Sequence, residues 1–444
     1  MAGRLAVPVV ARKGDLVSEH SDAAAAARPN NLRLGIVLRI FLPFAAGYYL
    51  SYVYRAVNAV IASNLAADAG LSASDLGFLT SVYFLSFAVL QLPLGVLLDR
   101  YGPRRVEAVL LLFAAAGSAV FAAAEGLPGL SVGRALIGVG VSCCMMAAFK
   151  AFVLWFRPRQ LPAINGFLLT FGALGAISAT APVEWLLTWT DWRMLFAGLA
   201  AFGLIVAIAV YWVVPEHPVP PEKTTLRTQL GGLAEIFRDR FFWRVAPVAA
   251  VCQGGGLAIQ GLWIGPWLRD VAGLERSAVA GHLLITATAL GVGFFSIGLL
   301  AERLSRVGIR TVTVAGVGMS CYVTAMACLA AGLTSGLPVL LAAFGFLAAS
   351  GTLSYALLSQ HFPSQLAGRA NTAQNLLVFV AAFGAQWLIG VVLLPWENAL
   401  THHYAAAGYH VAFGGLVALQ AGALTWFFLS ARWADRMPPA RAPA

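Results

Sequence analysis

Residues 91–106 read QLPLGVLLDRYGPRRV. The stretch is mostly apolar up to Leu98. Asp99, Arg100, Arg104 and Arg105 then crowd together, Glu107 follows, and another long apolar run begins at once. The same alternation of apolar run and short charged knot governs the whole chain. Of 444 residues, 60% are hydrophobic and 11% charged, whereas soluble globular domains carry about 25% charged residues. Between Arg310 and Arg369 lie 58 residues without Asp, Glu, Lys or Arg. A helix needs roughly 20 apolar residues to cross the hydrocarbon core, so this run holds two crossings and a turn. Backbone groups cannot stay unpaired in lipid, which makes the spans helical. The alternating pattern of an outer-membrane barrel is absent. The chain therefore reads as an all-α integral membrane protein.

Twelve spans are predicted, at 35–62, 74–98, 106–124, 128–153, 160–188, 193–214, 241–268, 277–301, 310–332, 336–361, 367–393 and 407–432. The longest connection, 215–240, is rich in proline and charge and marks a linker between six-span halves at 35–214 and 241–432. Residues 1–34 carry Arg4, Arg12, Lys13, Arg28 and Arg33 but no long apolar core, which suits a cytoplasmic tail rather than a cleaved signal peptide. Residues 433–444 form the second tail. With both tails in the cytoplasm, 22 basic residues fall in inside segments and three, Arg193, Arg269 and Arg276, outside. That asymmetry fixes the orientation, and it explains the net charge of +10 without nucleic acid as a partner. The expected location is the cell membrane. The five cysteines, Cys143, Cys144, Cys252, Cys321 and Cys328, fall inside spans and form no CxxC, so neither a disulfide framework nor a metal site is expected. No cofactor is expected, and a monomer is.

The halves look related. AGLSAS at 69–74 is echoed by AGLERS at 272–277, and Gly95-x-x-x-Asp99-Arg100 by Gly298-x-x-x-Glu302-Arg303, both at an offset of 203. RQLPAIN at 159–165 loosely echoes SQLAGRAN at 364–371. Repeated halves around a central cavity are common in secondary transporters. The segment Gly95-x-x-x-Asp99-Arg100-x-Gly102-x-Arg104-Arg105 closely resembles the loop 2–3 signature of the major facilitator superfamily, with Pro103 as a soft departure. Arg134-Ala-Leu-Ile-Gly138-Val-Gly140 resembles its span 4 signature. The resemblance implies twelve helices in two pseudo-symmetric halves that rock about a midplane site. It also implies that Asp99 contacts a helix end of the other half and latches the cytoplasmic side, with Gly95, Arg100, Gly102, Arg104, Arg105, Glu302 and Arg303 completing the gating motif. The competing reading of the knot is positive-inside charge alone.

Some charges lie inside spans. Arg39 and Lys150 sit near span ends, where snorkelling competes with cavity lining. Arg55 and Arg134 lie deeper, where an Arg costs about 2.5–3.5 kcal/mol on insertion scales. Tyr48, Tyr52, Arg55 and Asn58 recur at helical spacing, a polar-aromatic face suited to an anionic or zwitterionic solute, since Arg grips carboxylates bidentately. Arg134 is a candidate for coupling, substrate contact or structure. In span 7, three glycines at 254–256 and Pro266 predict a bent or broken helix, and Gln253, Gln260 and Trp263 share one face. Ser354, Tyr355 and Gln360 in span 10, and Asn371, Gln374 and Asn375 in span 11, are further cavity candidates, with helix–helix hydrogen bonding as the alternative. The equivalent of Arg55 at the 203 offset is Ala258.

Among acids only Glu184 is expected inside a span, at its outer end. Asp191 and Arg193 are expected to pair at the surface. His282 and His361 lie near span ends, and no proton route is visible. His402, His403 and His410 fall in the outer loop 11–12, where solvated histidines and a metal site are the two readings.

These features favour a secondary carrier that takes up a small organic anion or zwitterion, with a coupling proton and the lipid bilayer as the other partners. The alternative is an exporter of lipophilic or cationic compounds. Span 5, NGFLLTFGALGAISATAP, has the glycines of drug–proton antiporters but no Gly-Pro pair. HExxH, GxSxG, nucleotide and Walker A motifs are absent, which argues against an enzyme or a directly ATP-driven pump.

Overall fold

A computed structural model describes residues 34–157, 160–216, 234–398 and 403–431. The tail at 433–444, all but Leu34 of the tail at 1–34, most of the 215–240 linker, and His402 lie outside the described residues.

The described residues form twelve helical rods. They are α1 (Leu34–Ala56, continuing as Asn58–Ala69), α2 (Ala73–Tyr101), α3 (Pro103–Ala123), α4 (Leu127–Val141, then Cys144–Trp155), α5 (Leu161–Ser178, then Ala181–Leu186) and α6 (Trp192–Val213). The second half adds α7 (Arg240–Asp270), α8 (Arg276–Arg306), α9 (Thr311–Ala330), α10 (Leu337–His361), α11 (Ser364–Leu393) and α12 (Ala406–Leu429). Ten of them, all but α1 and α5, are long and apolar enough to cross a membrane unaided. The chain is a multi-pass membrane protein. Outside the helices, the described backbone adds a lone bridge between Glu397 and Tyr404. Trp185 and Trp189 at one end of the bundle, and Trp212 and Tyr101 at the other, are exposed, as expected of aromatic belts at the two membrane surfaces.

The charged knot is not a loop. Asp99 and Arg100 ride on the last turn of α2 and Arg104 and Arg105 on the first turn of α3, so the connection is Gly102 alone. Its φ of 78° is one that side-chain-bearing residues avoid, and Pro103 starts α3 where its missing N–H costs nothing. Likewise α8 continues to Arg306 and keeps Glu302 and Arg303 helical. The repeat is geometric as well: Gly70 and Gly273, 203 apart, both turn the chain at positive φ, 62° and 65°. Ser72 and Glu275, also 203 apart, then stand at the N-caps of α2 and α8.

Span 7 differs from expectation. Gly254, Gly255 and Gly256 remain α-helical; the irregular turn is a π-helix at Ile259–Trp263. The glycines serve close packing instead. A Cβ would lie 2.7 Å from the Val378 carbonyl on α11 at Gly254, 3.0 Å from Leu416 on α12 at Gly255, and 2.8 Å from the Tyr322 hydroxyl on α9 at Gly256. Three neighbours thus approach one helix at successive residues. The halves meet along α2 and α11, along α5 and α8, and where the end of α1 crosses the π turn of α7.

Candidate functional site

Arg55 lies two residues before the interruption of α1 at Val57. Its guanidinium carbon stands 4.7 Å from the Tyr52 ring centroid, 5.8 Å from Phe87 on α2 and 5.4 Å from Phe379 on α11. Phe87 and Phe379 stack at 4.1 Å across the seam. The cation therefore sits where the halves meet, in an aromatic seat completed by Tyr48, whose hydroxyl is 3.4 Å from that of Tyr52. Among the described residues no ion pair holds Arg55, and its buried Nε has no hydrogen-bond partner. A desolvated cation gains about 2 kcal/mol or more from ring faces; the Tyr83 hydroxyl on α2 also lies within hydrogen-bonding reach of the guanidinium, while Nε stays without a partner. Asn58 lies beyond the interruption, buried, with its Oδ1 unpartnered.

The second half faces this seat with neutral groups. Gln253 Nε2 donates to the Gly351 carbonyl at 3.1 Å and to Ser354 Oγ at 3.3 Å. Gln374 Nε2 donates to the same Ser354 hydroxyl. Tyr355, within electrostatic reach of Tyr52 and Arg55, donates to Asn375 Oδ1 at 3.0 Å. Asn375 Nδ2 crosses to Gln91 Oε1 at 3.2 Å, and Gln91 Nε2 donates to the Ser142 carbonyl at 3.2 Å. Gln253, Tyr355 and Gln374 are thus brought together. Trp263 is not part of the cluster: it is fully buried and donates to the Gln386 carbonyl at 2.9 Å. Gln260 sits on the π turn beside it. Asn371 donates to Ser359 at 2.9 Å, away from the cluster.

At the end of the bundle where α1 begins and α12 ends, here the near end, charges pair inside their own halves. Asp99 pairs with Lys150 on α4, which joins two of the sequence candidates. Arg105 pairs with Glu216, and Arg104 donates to the Tyr211 carbonyl at 2.8 Å. Glu302 pairs with Arg306 one helical turn on, both exposed, and Arg303 is exposed. His361 and Asp239 pair at 3.2 Å and tie α10 to the start of α7. Burial alone would raise the Asp239 carboxyl. Hydrogen bonds from His361 and the Phe242 N–H outweigh it and hold the group below the ordinary carboxylate range.

Residues 44–386 match the profile of the Major Facilitator Superfamily. The chain belongs to this superfamily. The "Probable L-galactonate transporter" of Escherichia coli is 22% identical over 421 residues, with 89% of each chain covered. The "Probable sulfoacetate transporter SauU" of Cupriavidus necator is 24% identical over 271 residues, 58% of this chain and 63% of that protein. An uncharacterized Bacillus subtilis transporter, YybO, is 30% identical over 169 residues, 38% of this chain and 39% of that one. The chain thus spans well under two thirds of the length of YybO and slightly under two thirds of SauU. Among solved structures, a bacterial homologue of the human lysosomal transporter Spinster, inward-facing and occupied, superposes with a TM-score of 0.72 at 17% identity, covering 90% of this chain and 98% of that one.

In this superfamily member Arg134 belongs to the packing behind α1 rather than to the seat. It is fully buried, donates to the Tyr54 carbonyl at 3.2 Å and lies over Phe121 and Phe196 at 4.8 and 5.2 Å. At the far end the polar contacts cross between halves. Arg276 on α8 pairs with Glu184 on α5 at 2.6 Å, and the Ala73 N–H at the start of α2 donates to Glu397 at 2.8 Å. Asp191 and Arg193 do not pair with each other: Asp191 caps α6 through the Met194 N–H, and Arg193 donates to the Ala122 and Ala124 carbonyls. His403 contacts Asp270 and His410 the Ala330 carbonyl. Sequence reasoning missed two acids. Asp270 has a side chain 1% exposed and accepts from Tyr409 and from the Tyr404 N–H. Glu107 is fully enclosed in α3. It read as one more charge of the knot, although it lies a full helical turn past Pro103.

Proposed function

We propose that this chain is a secondary transporter for a small organic anion of the carboxylate class, working by alternating access between the halves at 35–214 and 241–432, with both termini cytoplasmic. One observation carries the reading: Arg55, at the seam between the halves, is answered by aromatic rings and the Tyr83 hydroxyl and, among the described residues, by no carboxylate. An anion is the ligand that such a site lacks. The amides and hydroxyls of Gln253, Ser354, Tyr355 and Gln374 stand opposite as neutral partners for a polyhydroxylated or zwitterionic body. Relatives named for galactonate and sulfoacetate support an organic-anion substrate.

The polar contacts point to a state closed at the far end and open at the near end. The Arg276–Glu184 and Ala73–Glu397 contacts at the far end cross between halves, while the near-end pairs Asp99–Lys150 and Arg105–Glu216 stay within their own half. In the latch reading, Asp99 exchanges Lys150 for a helix end of the second half when the near end closes. The expected direction is uptake.

The test is thermal stability of the purified protein against galactonate, glucuronate, amino acids, sugars and lipophilic cations, since a ligand of the folded state raises stability by mass action. Stabilisation by carboxylates that Arg55→Ala abolishes supports the reading. Stabilisation by lipophilic cations, unaffected by Arg55→Ala, sinks it and favours the exporter.

A further inference from the structure

Glu107 is an acid that neither the anion seat nor the near-end charges use. Its residue is 0% exposed, and neither carboxyl oxygen has a hydrogen-bond partner among the described residues. The side chain points between α1 and α4. A Cβ on Gly47 would lie 2.3 Å from its Oε1 and 3.7 Å from the Cys144 sulfur, so glycine at 47 leaves the space that the carboxyl fills. Cys144 on α4 is the titratable group that acts on it directly, with Cys143 beside that thiol. On α1, Tyr48 and Arg55 act on Cys144 rather than on Glu107. On α2, Asp99 is engaged by Lys150 of α4 and Arg100 faces Tyr101. On α3 itself, Arg104 and Arg105 reach Tyr211 and Glu216 at and beyond the end of α6. Among the described residues no cation therefore pairs with Glu107. A carboxylate fully enclosed, with only the weak thiol donor of Cys144 beside it and no counter-charge among the described residues, is strongly disfavoured, and a group so placed takes a proton instead.

A second observation ties this acid to the seam. Helix α4 is interrupted at Ser142–Cys143, beside the carboxyl. The Ser142 carbonyl at that interruption accepts from Gln91, which accepts from Asn375 of the second half, which accepts from Tyr355. The hydrogen bonds at the centre of the seam thus end on the segment of α4 that covers Glu107.

We propose that Glu107 is a proton-binding site of this carrier, occupied in the conformation described here and emptied toward the cytoplasm before the halves rock back. Loss of the Gln91–Asn375 bond while the near end is open frees the α4 interruption to shift. Water from the near side then reaches the carboxyl: its O–H bond breaks, the proton passes to water and a carboxylate remains. Once the halves have rocked, a proton from the far side restores the O–H bond. The coupling role rests on the transport reading; the proton occupancy does not.

Two measurements on the full-length protein test it. Infrared spectra of the purified protein at neutral pH should show a protonated-carboxyl stretch that Glu107→Gln lacks and Cys144→Ser shifts. In proteoliposomes with labelled galactonate and glucuronate as probes, a pH gradient of about one unit should drive up to roughly tenfold accumulation with one proton per cycle. Glu107→Gln should exchange the probe without concentrating it. Absence of the band in wild type, an unchanged band in Glu107→Gln, or gradient-driven accumulation by that variant overturns the proposal. If the variant does not fold, the Cys144→Ser spectrum decides: a shifted band supports the site and an unmoved one overturns it. If wild type moves neither probe, the anion reading fails, while the band still decides the proton site.

Discussion

The two halves share a scaffold and divide the chemistry. Gly70 and Gly273 make the same left-handed turn 203 residues apart, yet Arg55 in the first half corresponds to Ala258 in the second. Asp99 is half-buried and paired with Lys150 on another helix, whereas its counterpart Glu302 is exposed and paired within its own helix. The repeat preserves turns and glycines, which the backbone needs in both copies. The embedded cation it does not preserve, because a bundle tolerates one only where a ligand or water answers it.

That division can be attacked directly. The largest effect expected is from Arg55→Ala, which should weaken carboxylate binding by roughly 10- to 100-fold, the loss of a charge-assisted contact; calorimetry with galactonate or glucuronate reads it. Gln253→Ala in the second half should weaken the same binding by only about 2- to 10-fold, as for a neutral hydrogen bond. Equal losses would erase the distinction. Next, Asp99→Asn should slow transport by about tenfold, the scale of a conformational coupling term, with membrane insertion intact. Glu302→Gln should leave flux within error, since exposed pairs contribute little. Equal flux from both variants would break the latch.

Packing gives a smaller contrast. Gly254→Ala presses a methyl against the Val378 carbonyl and should cost about 1–3 kcal/mol, seen as a lower Tm. Gly414→Ala, with nothing within 4 Å, should not lower it. The smallest effect is at Asp239, whose depressed carboxyl contributes stability above the ordinary Asp range and loses it as pH falls through that range. Partly exposed, with its side chain 20% accessible, it is worth at most about 1 kcal/mol. The Tm of wild type should exceed that of Asp239→Asn at neutral pH and converge with it in acid.

Class, span number, repeat and family were legible because each rests on runs or local motifs: the uncharged stretch after Arg310, the glycines, the Asp99–Arg105 signature. Arg55 was legible too, as a cation out of place in an apolar run. Glu107 was not. Its neighbours in sequence are arginines, while its neighbours in space, Gly47 and Cys144, lie on other helices. Gln91 opens the charged knot's own helix segment yet shows no sign in sequence of its partners Asn375 and Ser142. The triple glycine was read, with Pro266, as a bend or break because glycine weakens isolated helices. In the bundle, close approach by α9, α11 and α12 is what those glycines allow.

The unpaired state of Arg55 also has an electrical consequence. The empty seat carries one positive charge, and a bound monovalent anion cancels it. A membrane potential therefore acts on the seat of the unloaded carrier and hardly on that of the loaded one. A full elementary charge moved across 100 mV corresponds to about 2.3 kcal/mol, and the seat traverses some fraction of that field in each half-cycle. In Glu107→Gln, where no carboxylate offsets the seat, voltage should thus set the rate at which the empty carrier resets; in wild type the emptied Glu107 cancels that charge and leaves both half-cycles nearly indifferent to voltage.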